Sequence, residues 1–139
     1  MSDYWIKTIF AVLLLGAGLA AFLSMMARFG RPGDEARSER LRKLHKTAGW
    51  LFVILIAPLA VFGAGFLVEM ADGLSPRGTF HFVLAMALAG IVLLKILVVK
   101  TYRQLLRFAS ALGMTVFALT LVIFLITAGY YVLVSVAGR

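Results

Sequence analysis

Four long apolar runs follow one another along the chain, at about residues 4–26, 47–68, 79–99 and 108–136, with short polar stretches between them. Each reaches the ~20 helical residues that crossing a hydrocarbon core requires. None alternates apolar with polar positions, as the strands of a membrane barrel would. The second run carries no charge, while Lys7 in the first and Lys95 in the third lie close enough to an end to reach water. The fourth exceeds one crossing, which allows tilt or projection beyond the bilayer. The pattern predicts an all-α integral membrane four-helix bundle, one transmembrane domain over residues 1–139.

Composition agrees. Of 139 residues, 63% are hydrophobic and 14% charged, against about 45–50% and roughly 25% in soluble domains. A soluble enzyme and a disordered tail are excluded. The net charge of +8 on so apolar a chain points to an anionic membrane surface and not to nucleic acid. With no cysteine, disulfides, thiolate nucleophiles, iron–sulfur clusters and Cys-rich zinc sites are ruled out. The apolar centre of the first run exceeds the 7–15 residues of a signal sequence, so it reads as a permanent helix.

The cations set the orientation. Arg28, Arg31, Arg37, Arg40, Arg42, Lys43 and Lys46 fall in the first connection, read as a basic cytoplasmic loop over residues 28–46. Lys95, Lys100, Arg103 and Arg107 fall on the same side, leaving Lys7, Arg77 and Arg139 opposite. Eleven against three places both termini outside by the positive-inside rule. The expected location is the bacterial cytoplasmic (inner) membrane. Within the loop, Arg31-Pro32-Gly33 marks a turn and Asp34 to Lys46 a charged helix feeding the second span. Its cations serve topology alone, or bind a phospholipid headgroup or a cytoplasmic partner.

Polar residues inside the spans need a reason. His45 enters the second span from the basic side, with Gly49 one turn later leaving a notch beside it. His81 opens the third span from the other side. Helical spacing sets Gly49, Phe52, Ile56, Leu59 and Gly63 on one face. It does the same for His81, Ala85, Leu88, Val92 and Lys95, and for Gly113, Phe117, Thr120, Phe124, Thr127 and Tyr131. Helix packing explains such stripes by itself, interfacial placement explains either histidine, and snorkelling explains Lys95. Gly16-x-Gly18 and Gly63-x-Gly65 read as packing notches. Pro58 is expected to kink the second span. Trp5, Trp50, Tyr102, Tyr130 and Tyr131 suit the interfaces, and Glu69 and Asp72 are solvated carboxylates.

The segment Leu44-His45-Lys46 with Gly49 a turn later, then His81 opening a helix, Lys95 near its close, Tyr102-Arg103 and Gly113, resembles cytochrome b561-like membrane haem proteins over about residues 41–131. The resemblance implies a bundle holding one or two non-covalent b haems and passing single electrons. It implies His45 and His81 as axial ligands, with Lys95 and Arg77 pairing the propionates. The two histidines begin spans from opposite sides of a ~30 Å core, so they do not share one iron. A homodimer pairing like histidines, a His/Met pair drawing on Met25, Met26 or Met114 near His45 and Met70 near His81, or a five-coordinate haem, or no haem at His81, each resolves this.

The expected function is a membrane-embedded b-type cytochrome passing electrons between quinol or a partner redox protein and an acceptor. The alternative is a cofactor-free structural or assembly subunit of a larger membrane complex, since no catalytic constellation is present. A transporter lacks the mid-membrane carboxylate that ion pathways use. Lipid, a homodimer or larger complex, and quinone are the expected partners.

Overall fold

The computed structural model describes residues 3–30, 34–70, 73 and 75–137. Among these every regular element is helical: α1 (Asp3–Phe29), α2 (Glu35–Glu69), α3 (Pro76–Lys100), a 3₁₀ turn (Arg103–Phe108), α4 (Ala109–Phe124), a π segment (Leu125–Gly129) and α5 (Tyr130–Ala137). The last four run on as one rod, so four stretches are long and apolar enough to cross a membrane: Trp5–Phe29, Glu35–Glu69, Pro76–Lys100 and Arg103–Ala137. The chain is an integral membrane protein of helical type.

The basic connection departs from the expected loop over 28–46. Arg28 lies in the last turn of α1, and residues 35–46 form the first turns of α2. Asp34 starts that helix. Its Oδ1 accepts the Arg37 N–H at 3.0 Å and its carbonyl accepts the Ser38 N–H at 2.9 Å, while Glu35 faces the positive end of the helix dipole. The 35 residues of α2 measure ~52 Å at 1.5 Å per residue, well beyond a ~30 Å core. The basic segment is therefore a stem rigidly continuous with the span. The Arg31-Pro32-Gly33 turn lies outside the described residues, as do Asp72 and Arg139. The helix runs unbroken through Pro58.

α3 starts three residues earlier than its apolar run suggests. The Ser75 hydroxyl caps it by accepting the Gly78 N–H at 3.2 Å, with Pro76 in the first turn. It ends where the N–H groups of Thr101 and Tyr102 both donate to the Leu97 carbonyl, at 2.8 and 3.0 Å. In the π segment the Tyr130 N–H reaches back five residues to Leu125, and the Thr127 hydroxyl donates to the Ile123 carbonyl at 2.6 Å. Thr120, buried, donates to the Val116 carbonyl at 2.7 Å. Each hydroxyl thus finds a carbonyl on its own helix, as a water-free interior requires.

The helices pack in the order α2–α1–α4–α3. Side chains from all four spans meet in one core: Leu14 and Ala17 from α1, Phe52 and Leu55 from α2, Leu88 from α3, Val116 from α4. Gly18 lets this happen, since a Cβ there would stand 3.3 Å from Phe52 Cε2 and 3.7 Å from Phe117 Cδ2. Phe117 in turn stacks on Phe22 with centroids 4.7 Å apart. The backbones of α2 and α3 do not pack together, so a gap opens between them. Gly16, Gly63 and Gly65 face open space. They are not the packing notches their spacing suggests: all three are exposed, and α2 meets α1 at this level through Phe62, edge-to-face with Phe10 at 6.3 Å between centroids.

Candidate functional site

The gap between α2 and α3 becomes a cavity of about 490 Å³ at the basic end of the bundle, within the range of small-molecule sites. α1 contributes Gly18, Phe22 and Met25 to its walls, α2 His45, Gly49 and Trp50, α3 Val92 and Lys95, and α4 Gly113, Met114 and Phe117. Every span therefore presents both apolar surface and one chemically distinctive or very small residue to the same space.

His45 is held in a defined state. Its Nδ1 lies 2.8 Å from the carbonyl oxygen of Ala21 on α1. A carbonyl only accepts, so Nδ1 is the donor, and in the neutral ring the lone pair is left on Nε2. No group among the described residues donates to that nitrogen. The same carbonyl accepts the hydroxyl of Ser24 at 2.9 Å, a residue only 3% exposed. The ring is thus oriented from behind by α1, the arrangement in which a histidine binds a metal through its other nitrogen. Gly49, one turn along, has nothing within 4 Å of a Cβ position, so the space beside the ring is open to a flat ligand.

Lys95 reaches across to α4. Its Nζ lies 3.1 Å, and its Cε 3.7 Å, from where a Gly113 Cβ would stand. Gly113 is thus the seat of the lysine head. Lys95 has no carboxylate or other partner among the described residues; the ion pair formed there is Lys43–Glu39 at 3.1 Å, exposed on the stem of α2. A half-buried ammonium facing an apolar cavity without a counter-charge suits an anionic group on whatever enters. Lys100 stands at the cavity edge with its Nζ 5.2 Å from the Trp50 ring centroid.

Met25, Met26 and Met114 all border this cavity, whereas Met70, beyond the end of α2, lies at the other end of the bundle. His81 does not line it. Fourteen residues of α3 separate His81 from Lys95, ~21 Å of helix. The Nδ1 of His81 is buried without a hydrogen-bond partner among the described residues. Arg77, expected beside His81 as an acid-binding residue, instead lays its guanidinium 3.7 Å over the Tyr130 ring, a cation–π contact that ties α3 to α5. Among the described residues no three His, Asp or Glu side chains gather to hold a bare metal ion.

Over residues 1–137 the sequence matches the profile of a family of unknown function, DUF6529. The chain belongs to this family. No curated protein and no solved structure matches it. For this DUF6529 member, the functional reading rests on the cavity itself. Ala21 and Ser24 escape a sequence reading because a main-chain carbonyl has no signature and a lone serine in an apolar helix has many uses.

Proposed function

We propose that this protein is a membrane-embedded b-type cytochrome holding one haem in the cavity at its basic end, with His45 as axial ligand. The observation that carries the proposal is the 2.8 Å contact of His45 Nδ1 with the Ala21 carbonyl, which leaves Nε2 as the nitrogen able to bind iron. The residues present fit the group in three further ways. Gly49 leaves room beside the ring. Phe22, Phe52 and Phe117 offer apolar walls. Lys95 supplies an unpartnered cation for a propionate, seated against Gly113.

Bound haem supplies a one-electron iron couple. The chain's own part is to orient His45 through Ala21, to exclude water with aromatic walls and to fix the acidic edge with Lys95. Met25, Met26 and Met114 border the site and would offer a thioether to a bound haem, a ligand that raises its potential. A site near one end favours electron exchange on that side, with quinol or a redox protein of the cytoplasmic face, over transfer across the whole membrane. The bacterial inner membrane is the proposed location.

The test is the absorption spectrum of the purified protein, from cells supplied with haem, before and after dithionite. A b-type α band on reduction is the expected result. A featureless spectrum would leave a cofactor-free subunit of a larger complex as the better reading.

A further inference from the structure

Eleven cations belong to the basic end by sequence, and retention on one side of the membrane needs only that they be there. It does not require them to converge. Yet Arg28, Arg42, Lys46, Lys95 and Lys100, from α1, α2 and α3, all line the cavity described above, and among the described residues no aspartate or glutamate lines it. Lys43 is paired with Glu39, Arg107 lies over Phe108 with its Cζ 4.7 Å from the ring centroid, and Arg37, Arg40 and Arg103 are not among the lining residues.

Lys95 lies deep, against Gly113, whereas Arg42, Lys46 and Lys100 are exposed and form the mouth. Haem carries two carboxylates, fewer than these cations. Membrane-ward of these cations the same cavity is lined by Val53, two turns along α2 from Lys46, and by Ile96, one turn before Lys100 on α3, in spans whose outward faces meet lipid. Cations at the mouth with apolar residues on their membrane side match a molecule with a phosphate at one end and acyl chains at the other.

We propose that the mouth of this cavity is a binding site for an anionic phospholipid, whose headgroup phosphate is held by Arg42, Lys46 and Lys100 and whose chains run toward the membrane centre along Val53 and Ile96. Phosphate recognition by guanidinium and ammonium groups is charge-assisted, and basic pockets between spans on the cytoplasmic side suit anionic headgroups. The proposal does not rest on the haem, so it is measured on haem-free protein, where its failure and that of the haem reading are distinguishable.

The full-length protein is exchanged into nanodiscs of mixed phosphatidylglycerol and phosphatidylcholine, released in the gas phase, and its retained lipids are counted by native mass spectrometry. Wild type is expected to retain phosphatidylglycerol in preference to phosphatidylcholine. Combined Arg42→Gln, Lys46→Gln and Lys100→Gln is expected to cut that retention by about tenfold or more. Combined Arg37→Gln, Arg40→Gln and Arg103→Gln removes the same charge outside the cavity and is expected to leave it unchanged.

Equal loss in the two triple variants, or no preference in wild type, overturns the proposal and returns these cations to topology alone. Displacement of the lipid by inorganic phosphate overturns it too, in favour of a soluble phosphate ligand. Thermal unfolding in detergent checks that each variant is folded. If the first triple variant is not, Lys100→Gln alone decides: a several-fold loss supports the lipid site and no loss refutes it.

Discussion

Replacing Lys95 by methionine should move stability and ligand affinity in opposite directions. The lysine is half-buried, its Nζ rests 3.1 Å from the Cβ position of Gly113, and it has no counter-charge among the described residues. At the centre of a spanning helix a lysine costs ~2.5–3.5 kcal/mol. Lys95 is five residues from the end of α3, ~7.5 Å of helix, and partly solvated through the mouth, so the cost here is on the order of 1 kcal/mol. Methionine keeps the unbranched shape, one atom shorter, and removes the charge. Lys95→Met should therefore stabilise the ligand-free protein by about 1 kcal/mol. The same change removes a charge-assisted contact to a propionate, worth about 1.5–3 kcal/mol, and should weaken haem binding roughly 10- to 100-fold. Unfolding of the haem-free protein in detergent gives the first quantity, and titration with haem followed in the Soret band gives the second. If Lys95→Met destabilises the haem-free protein, the charge has a partner that this account omits. Unchanged haem affinity would refute the pairing with a propionate.

Two other substitutions test the packing and the separation of the histidines. Gly18→Val would drive a branched side chain into Phe52, whose Cε2 is already 3.3 Å from the Cβ position; a loss of about 1–3 kcal/mol in detergent unfolding is expected, and unchanged stability would mean that α1 and α2 separate freely. His81→Ala should leave haem content and the reduced spectrum intact, since His81 is ~21 Å along α3 from Lys95; loss of half the haem would instead reveal a second site at the far end.

The depth of the cavity residues was readable from the sequence, because helical rise converts residue number into position. His45, Gly49, Lys95, Gly113 and Met114 all fall within a few turns of the basic ends of their spans, and all line one cavity. The inward faces of Phe52, Leu88 and Thr120 were readable for the same reason, and each is buried. Pairing between helices was not. Nothing in the residues near Ala21 announces that its carbonyl will meet His45, and nothing near Arg77 chooses Tyr130 over a ligand. The gap between α2 and α3 depends on which spans become neighbours, a matter of three-dimensional packing between runs of similar apolarity. The length of the basic stem was half legible: the charged helix from Asp34 was foreseeable, but its rigid fusion to the span depended on the helix continuing through Gly49, a weak helix former.

The central claim is that His45 holds an iron while α1 orients it. The most direct measurement is the haem-to-protein ratio of His45→Ala beside wild type, both purified in the same detergent and both checked for cooperative unfolding. Ser24 still donates to the Ala21 carbonyl in the variant, and the lost hydrogen bond is worth only about 1 kcal/mol, so His45→Ala should fold. The account predicts a folded, colourless variant and a haem-bearing wild type. A folded His45→Ala variant with the full haem load and the native spectrum would contradict it.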